Sequence, residues 1–360
     1  MKNSLRALSL LVAMCVMALA CGTSTELETA DRPDDSLVTP LVMATDAMLA
    51  DVVSEIVGDA AEVVPLVRPG EDPTTSVPSA RTLLRLDEAD LVVTIGLGYE
   101  SVDLAAAVDR ASTRGTEVLE LGEELDPEPY PAEVMADLTE TEIEDPHVWV
   151  DPQRMATAVD LITRRLTELR AEFNTPEVLD SSEELVDDLH HLDRSFQEVI
   201  EEIPEEDRRL FSSQPVFGYL SDHFEIDYLG SVVPIVPPEA PGPDDDGDEP
   251  ENEPVAARED GEPDRDAKAL GGPDGLSYGP PLSADELTER LDGLDVVITE
   301  PELDGPGVLL VLAEADVRAA PAHAAALGSQ IDGSGSYLGA LRTTLETIAS
   351  SMGGRDVDLA

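Results

Sequence analysis

Short apolar runs alternate with amphipathic stretches along this chain, and the alternation constrains the fold more than any other feature. In the first half, four apolar runs are predicted to be strands: Leu41–Ala44, Glu62–Val67, Leu91–Ile95 and Glu117–Leu121. Between them, Ala47–Val57 and Arg81–Ala89 carry apolar residues at helical spacing. Apolar strands that alternate with helices are typical of a parallel sheet covered on both faces.

The same alternation restarts after residue 208. Three further strands are predicted at Arg209–Ser212, Ile226–Val233 and Asp295–Thr299, and helices at Val216–Phe224, Ala284–Leu291, Pro306–Ala315 and Tyr337–Met352. The sequence therefore predicts an α/β fold with two lobes, each a mainly parallel sheet covered by helices. In such a fold a ligand binds in the cleft between the lobes, at the carboxyl ends of the strands.

Two long helical stretches separate the halves, Pro152–Phe173 and about Ser181–Ile203. In the second, apolar residues recur every three or four positions and share one face: Leu185, Leu189, Leu192, Phe196, Val199 and Ile203. We expect this helix, about 35 Å long at 1.5 Å per residue, to be a rigid strut that joins both lobes.

These patterns divide the chain into five segments. We assign 1–20 to a lipoprotein signal peptide, 21–37 to a flexible tether, 38–150 to an N-terminal lobe, 151–207 to connecting helices, and 208–360 to a C-terminal lobe. An insert over about 237–281 interrupts the last segment and is rich in Pro, Gly, Asp and Glu. We expect it to be disordered and to act as a solvated spacer rather than as a weak cation trap, because it contains no histidine.

The N-terminus has the pattern of an export signal. Lys2 and Arg6 precede an apolar run, Ala7–Ala20, that is shorter than the ~20 residues of a membrane-spanning helix. Small residues before Cys21 resemble a bacterial lipoprotein cleavage site, although Ala18 and Leu19 depart from its tightest form. We expect Cys21 to be lipidated and the protein to be extracytoplasmic and membrane-anchored. An ordinary signal peptide with a chance cysteine is the alternative.

Composition excludes several other classes. The chain has 22 basic and 78 acidic residues and a net charge of −56, so a nucleic-acid phosphate backbone would repel it. Such an acidic surface solvates a protein in high salt, or alternatively attracts cations loosely, and we favour the first interpretation. Cys15 lies in the signal segment, so a disulfide or a thiolate metal site is not expected in the mature chain.

The sequence contains no recognisable catalytic motif. Gly96-Leu97-Gly98 lacks the third glycine of a dinucleotide-binding loop, and no Gly-x-Ser-x-Gly motif or phosphate-binding lysine occurs. The five histidines have no Ser or Cys partner at a recognisable spacing: His147, His190, His191, His223 and His323. The sequence predicts that the protein is not an enzyme.

One passage is more specific. Residues 145–152 read Asp-Pro-His-Val-Trp-Val-Asp-Pro. They resemble the Pro-His-x-Trp-x-Asp-Pro passage of the solute-binding proteins that serve zinc and manganese ABC importers. Further stretches resemble this family in order: 69–79, 89–100, 217–219 and 326–342. The likeness covers roughly residues 38–350 apart from the acidic insert.

The resemblance implies one metal ion in the cleft, held by His, His, His or Glu, and Asp or Glu. His147 matches the second ligand, but the other three positions hold Thr74, Gln214 and Ala325. A threonine hydroxyl and a glutamine amide are weak neutral donors, and alanine offers none. His147 itself is either a ligand or a structural histidine.

Nearby residues at strand ends are candidate replacements for the lost ligands, or else solvated loop residues: Glu71, Asp72, Glu300, Glu302 and His323. Two functions remain open. The first is a monomeric solute-binding lipoprotein that delivers zinc or manganese to an ABC permease and its ATPase. The second is a degenerate descendant that binds no metal and acts as a surface interaction or structural lipoprotein.

Overall fold

The computed structural model describes residues 39–136, 143–236, 277–324, 327 and 334–359. The segments predicted as signal peptide and tether (with Cys21), most of the acidic insert, and Ala325 lie outside the described residues. The chain from Pro40 onward forms one unit, separate from residues 1–39, and the description below concerns that unit.

The N-terminal lobe is built on a sheet of four parallel strands in the order β2-β1-β3-β4. Its strands are β1 (Leu41–Ala44), β2 (Glu62–Pro65), β3 (Leu91–Thr94) and β4 (Glu117–Glu120), and its helices are α1 (Ala47–Val57), α2 (Ala80–Leu86) and α3 (Val102–Arg114). Each helix follows a capping side chain: Asp46, Ser79 or Ser101 accepts a hydrogen bond from a backbone N–H of the first turn.

Both faces of this sheet are buried. Leu41 and Met43 of β1 pack with α2 and α3 on one face, and Val42 and Ala44 face the helices on the other. Successive side chains of a strand point to opposite faces, so a strand in this position must be apolar throughout. The apolar run in the sequence is thus explained by burial on two sides.

The C-terminal lobe has a second sheet of four parallel strands in the order β10-β9-β5-β6. The strands are β5 (Arg209–Ser212), β6 (Asp227–Ser231), β9 (Val296–Thr299) and β10 (Arg318–Pro321), and the helices are α6 (Gly218–His223), α7 (Ala284–Leu291), α8 (Pro306–Glu314) and α9 (Tyr337–Gly353). Helices α7 and α8 cover the outer face around Phe211 and Val297. The two sheets confirm the predicted two-lobed α/β fold.

Two short strands, one before and one after the acidic insert, form a small antiparallel pair. β7 (Ile235–Val236) pairs with β8 (Ser277–Tyr278). Residues 277–281, which the sequence assigns to the acidic insert, therefore belong to the folded lobe, and the prediction that the insert extends to Pro281 is wrong at this end. Tyr278 packs on the apolar clusters, which explains why its segment is ordered.

Two antiparallel helices connect the lobes, α4 (Pro152–Leu169) and α5 (Pro176–Glu201). Both begin with proline at the first turn and a capping side chain, Asp151 and Thr175 respectively. Helix α5 has 26 residues, about 39 Å at 1.5 Å per residue. It contacts α4, α1 and α9, and so packs on both lobes through the buried face of Leu185, Leu189, Leu192, Phe196 and Ile200.

Besides the short β7–β8 pair, the sequence analysis did not predict helix α3 and strand β10. Helix α3 was not predicted, although its signals are present: Ser101 at the N-cap, apolar residues at helical spacing, and Gly115 in the left-handed conformation at the end. Strand β10 has no signal, because its sequence is Arg-Ala-Ala-Pro at the exposed edge of the sheet. No helix in the described part of the chain is both long and apolar enough to cross a bilayer.

The packing of α5 generates a stability prediction. The fully buried Phe196 meets Phe224 of the C-terminal lobe edge to face, with ring centroids 4.7 Å apart. We expect Phe196→Ala to lower the free energy of unfolding by about 3–5 kcal/mol, measured by denaturant unfolding, because it opens a cavity at this junction. Leu179→Ala, on an exposed position of the same helix, is the control and should cost about 0.5 kcal/mol or less. Equal effects of the two variants would contradict the assigned role of the strut.

The second prediction concerns pH. His223 at the end of α6 lies between two carboxylates: its Nδ1 is 2.9 Å from Asp151 Oδ2 and its Nε2 is 3.5 Å from Asp193 Oδ1. The hydrogen bond to Asp151 raises the pKa of His223 in the folded protein, against burial and the nearby Arg154. The protonated form is therefore favoured by folding. This contribution to stability is complete below the unfolded pKa of about 6.5 and is lost as pH rises through the folded pKa.

We expect His223→Gln to remove this decline in the free energy of unfolding, measured in a pH series from 5 to about 9. His190→Gln, on an exposed position of α5, is the matched control and should leave the pH profile unchanged. An unaltered profile in the His223 variant would assign the decline to another group.

Candidate metal and solute site

The loops at the carboxyl ends of both sheets enclose a cavity of about 420 Å³. Asp72 and Thr74 reach it from the loop after β2, Tyr99 from the turn after β3, and Gln214 and Val308 from the C-terminal lobe. This location is the one predicted from the parallel strands. His147 lines the same cavity.

The ring of His147 is held by its neighbour in the chain. Asp145 Oδ1 accepts a hydrogen bond from the backbone N of His147 at 2.9 Å and lies 2.6 Å from its Nδ1. Nδ1 therefore carries the proton in the neutral ring, and Nε2 keeps its lone pair. Nε2 has no hydrogen-bond partner among the described residues. An imidazole fixed by a carboxylate in this way is suited to metal binding.

Aromatic rings surround His147, which is only 2% exposed. The ring centroids of Trp149, Tyr130 and Tyr99 lie 5.1, 6.0 and 6.2 Å from that of the imidazole. Trp149 Nε1 donates to Ala324 O at 2.6 Å, and the Tyr337 hydroxyl donates to Trp149 O at 2.7 Å. The segment that carries His147 is thus bonded to the C-terminal lobe while it packs on Tyr99 of the N-terminal lobe.

Thr74 stands at the family's first ligand position, and Asp72 precedes it by two residues. The two residues form a local turn. Asp72 Oδ1 accepts hydrogen bonds from Thr74 N at 2.9 Å and from Thr74 Oγ1 at 2.7 Å. The hydroxyl of Thr74 is thereby directed at Asp72. Asp72 Oδ2 accepts no hydrogen bond from a described residue, and Asp72 is the carboxylate residue of this loop that lines the cavity.

Gln214, at the third matched position, is bonded to the C-terminal lobe. Its Nε2 donates to Asp304 Oδ1 at 3.0 Å. Asp304 Oδ2 in turn accepts from the backbone N of Glu300 at 2.9 Å, and burial raises the pKa of Asp304. The amide of Gln214 thus has its nitrogen engaged, which leaves its carbonyl oxygen as a neutral donor for a ligand.

The other candidate ligands lie apart from His147. The buried carboxylate of Glu300 accepts hydrogen bonds from Ala324 N at 3.0 and 3.2 Å and does not line the cavity. His323 Nδ1 lies 3.2 Å from Glu302, beside a separate small pocket at Trp149. Glu71 is exposed and pairs with Arg68. Of the proposed replacements, the structure brings only Asp72 to the cavity.

Three residues that support or line the cavity were not identified as such from the sequence: Glu100, Tyr130 and Tyr278. Glu100 is buried and holds the turn before Tyr99, accepting hydrogen bonds from Ile95 N and Gly96 N at 3.0 Å and from the hydroxyls of Thr45 and Thr94. Its burial raises its pKa. The Gly-Leu-Gly-x-Glu motif was the available signal. Tyr130 and Tyr278 line the cavity. Tyr278 was not recognised as a cavity residue because the sequence analysis assigned it to the acidic insert.

The donors of the cavity form an incomplete metal site. Zinc takes four ligands, among which His nitrogen, Cys sulfur and carboxylate oxygen predominate. The cavity supplies one imidazole, one carboxylate and two neutral oxygens, from Thr74 and Gln214. Among the described residues, no group of three or more His, Cys, Asp and Glu side chains is placed to hold an ion. The residues present fit two strong ligands of a divalent ion, and not a full set.

Two lobes of parallel sheet around one cavity define a solute-binding protein. The chain belongs to the family described as "Zinc-uptake complex component A periplasmic" (ZnuA), whose model matches residues 42–246. This match confirms the resemblance to zinc and manganese binding proteins. The family consists of uptake components, which confirms that the chain is not an enzyme.

Individual relatives agree with this assignment. Manganese-binding lipoprotein MntA of Halalkalibacterium halodurans is 25% identical over 220 residues, which cover 61% of this chain and 68% of that protein. Zinc-binding protein TroA of Treponema pallidum is 27% identical over 219 residues, which cover 60% and 68%. The aligned region thus spans about two thirds of the relatives' length.

A solved structure shows the same fold. The periplasmic zinc binding protein TroA from Treponema pallidum superposes with a TM-score of 0.63 at 21% sequence identity. The match covers 88% of this chain and 99% of that one. Its similarity extends beyond the residues of the family match and includes the C-terminal lobe.

The support of the imidazole generates a testable prediction. A Cβ atom at Gly218 would lie 2.7 Å from Asp145 Oδ2 and 3.1 Å from Pro131 Cδ, which is closer than packing allows. We expect Gly218→Ala to displace the Asp145 carboxylate, to cost about 1–3 kcal/mol of unfolding free energy, and to shift the ¹⁵N NMR resonances of the His147 ring.

Gly353→Ala is the matched control, because its Cβ would meet nothing closer than Ile203 Cδ1 at 3.7 Å. It should change the free energy of unfolding by about 0.5 kcal/mol or less and leave the His147 resonances in place. Unchanged His147 resonances in the Gly218 variant would contradict the role of Asp145 as the group that holds the ring.

Proposed function

We propose that this chain is the solute-binding component of an ABC importer and takes up a divalent metal ion, zinc or manganese, at His147. The observation that carries the proposal is the imidazole in the cavity with Nδ1 fixed by Asp145 at 2.6 Å. Membership of the ZnuA family and the names of the relatives, one manganese-binding and one zinc-binding, support a metal cargo.

The residues of the cavity act on the ion in distinct ways. Nε2 of His147 donates its lone pair to the ion, and the hydrogen bond from Nδ1 to Asp145 fixes the tautomer and the orientation of the ring. Oδ2 of Asp72 supplies one negative charge from the N-terminal lobe. Gln214 lines the same cavity from the C-terminal lobe and offers its amide oxygen as a neutral polar contact.

The partner proteins are inferred from the class of solute-binding proteins. We propose that the loaded protein docks on a permease whose transport is driven by an ATPase, and that it acts outside the cytoplasm. The names of the relatives, which include a lipoprotein, support this location. Lipidation at Cys21 and a monomeric state remain predictions from the sequence. The relatives are named for the metals they bind, and none of them supports the alternative of a degenerate descendant without a cargo.

The test is calorimetric titration of chelator-stripped protein with zinc and with manganese. We expect one saturable site, and we expect His147→Ala to weaken it about 100-fold or more, because the variant loses the one imidazole ligand of the cavity. Asp145→Asn should weaken it about 10–100-fold, the usual effect of losing the group that orients a metal-binding histidine.

His190→Ala is the matched control, because this histidine lies on an exposed position of α5. It should bind as the wild type does, which separates loss of the site from loss of any histidine. Equal affinity of the wild type and His147→Ala would contradict the proposal that the ion is bound in this cavity.

A further inference from the structure

The cavity at His147 is much larger than a bare ion requires. Metal–ligand bonds of about 2.0–2.3 Å draw protein ligands close around an ion. A volume of about 420 Å³ instead lies in the range of small-molecule pockets, about 300–1,000 Å³. The cavity therefore has room for an organic group in addition to the ion.

The walls of the cavity have the chemistry of an organic-ligand pocket. Three tyrosines line it: Tyr99, Tyr130 and Tyr278. Aliphatic residues complete the surface: Val216, Val233, Ile235, Leu303 and Val308. Aromatic and aliphatic side chains stabilise a flat apolar body by burial and by ring contacts, and they are not among the usual ligands of zinc.

The polar groups leave half of a coordination shell unfilled. His147 and Asp72 are the two residues with strong donor groups that line the cavity, and Nε2 and Oδ2 are their atoms without a hydrogen bond from a described residue. Zinc prefers four ligands, so two positions remain for donors that the ion brings with it. Asp72 is the one carboxylate among the residues that line the cavity, while the Asp145 carboxylate is bound to the far side of the His147 ring. A chelator with a carboxylate would give the ion a second anionic ligand in direct contact.

From this geometry we propose that the cavity binds the divalent ion as a one-to-one complex with a small, flat chelator that carries one negative charge and two donor atoms. Pyridine carboxylates are the chemical class that fits. The ring lies against the tyrosines, its nitrogen and carboxylate bind the ion, and His147 and Asp72 complete the four ligands. This inference rests on the proposed function and specifies the form in which the ion is taken up.

The test compares four titrations of the chelator-stripped full chain: zinc alone, pyridine-2-carboxylate alone, their one-to-one mixture, and a one-to-one mixture of zinc with glycinate. Glycinate is the matched control, since it also chelates zinc through one nitrogen and one carboxylate, carries the same charge and has no ring. We expect the pyridine-2-carboxylate complex to bind at least 10-fold more tightly than zinc alone or zinc glycinate. Native mass spectrometry should detect protein, zinc and pyridine-2-carboxylate in one complex.

Variants at one tyrosine separate ring contact from other effects. Tyr278→Ala should lower the preference for the pyridine-2-carboxylate complex over zinc glycinate at least 5-fold. Tyr278→Phe, which keeps the ring and loses only the hydroxyl, should retain the preference. The ternary complex in mass spectrometry tests the proposal in the wild type even if the alanine variant does not fold.

The outcomes distinguish this inference from the proposed function. Equal binding of zinc alone and of both complexes would overturn the chelate and leave metal uptake intact. Binding of pyridine-2-carboxylate alone as tightly as its zinc complex would also overturn the chelate, because the site would then be one for an organic solute. Absence of saturable zinc binding in every form would overturn the proposed function itself.

Discussion

The hydrogen bonds made by residues 145–151 link this segment to α4, α6 and the loop after β10. The geometry of the site depends on them. The carbonyl of Asp145 accepts from the Tyr219 hydroxyl at 2.6 Å, Trp149 bonds to the loop after β10, and Asp151 both caps α4 and pairs with His223. These groups are buried, where an unpaired polar atom would be costly, so each bond favours one arrangement of the segment. His147 lies in the middle of it and takes its position from the whole set.

The family membership of the chain and the donor atoms of its cavity point to different conclusions about metal binding. The fold, the family match and the fixed imidazole agree with a metal-binding protein, while Thr74 and Gln214 offer only neutral oxygens. An ion held by too few charged ligands is unfavourable in apolar surroundings. A cargo that brings its own donors resolves the conflict, because it uses both the retained imidazole and the apolar volume around it. The tyrosines then have a function that a bare ion would not require.

Sequence patterns predicted the elements that burial makes repetitive. β1 and β9 are apolar along their whole length because helices cover both of their faces, and α5 shows its buried stripe because one side packs on both lobes. Elements that are only partly buried show a weaker hydrophobic pattern in the sequence. The exposed edge strand β10 consists of small and polar residues and was missed, and Tyr278 was assigned to the insert because its neighbours in sequence are acidic and Gly/Pro-rich.

The sequence by itself determined the two-lobed α/β class, the connecting helix and the position of His147 at the end of a strand-rich half, because these follow from local periodicity and from one distinctive motif. Only the tertiary structure decided which polar residues share the cavity. Asp72 faces it, whereas Glu300 bonds to Ala324 and His323 pairs with Glu302. These residues lie on loops far apart in the sequence, and the convergence of loops depends on strand order and lobe packing, which no local pattern encodes.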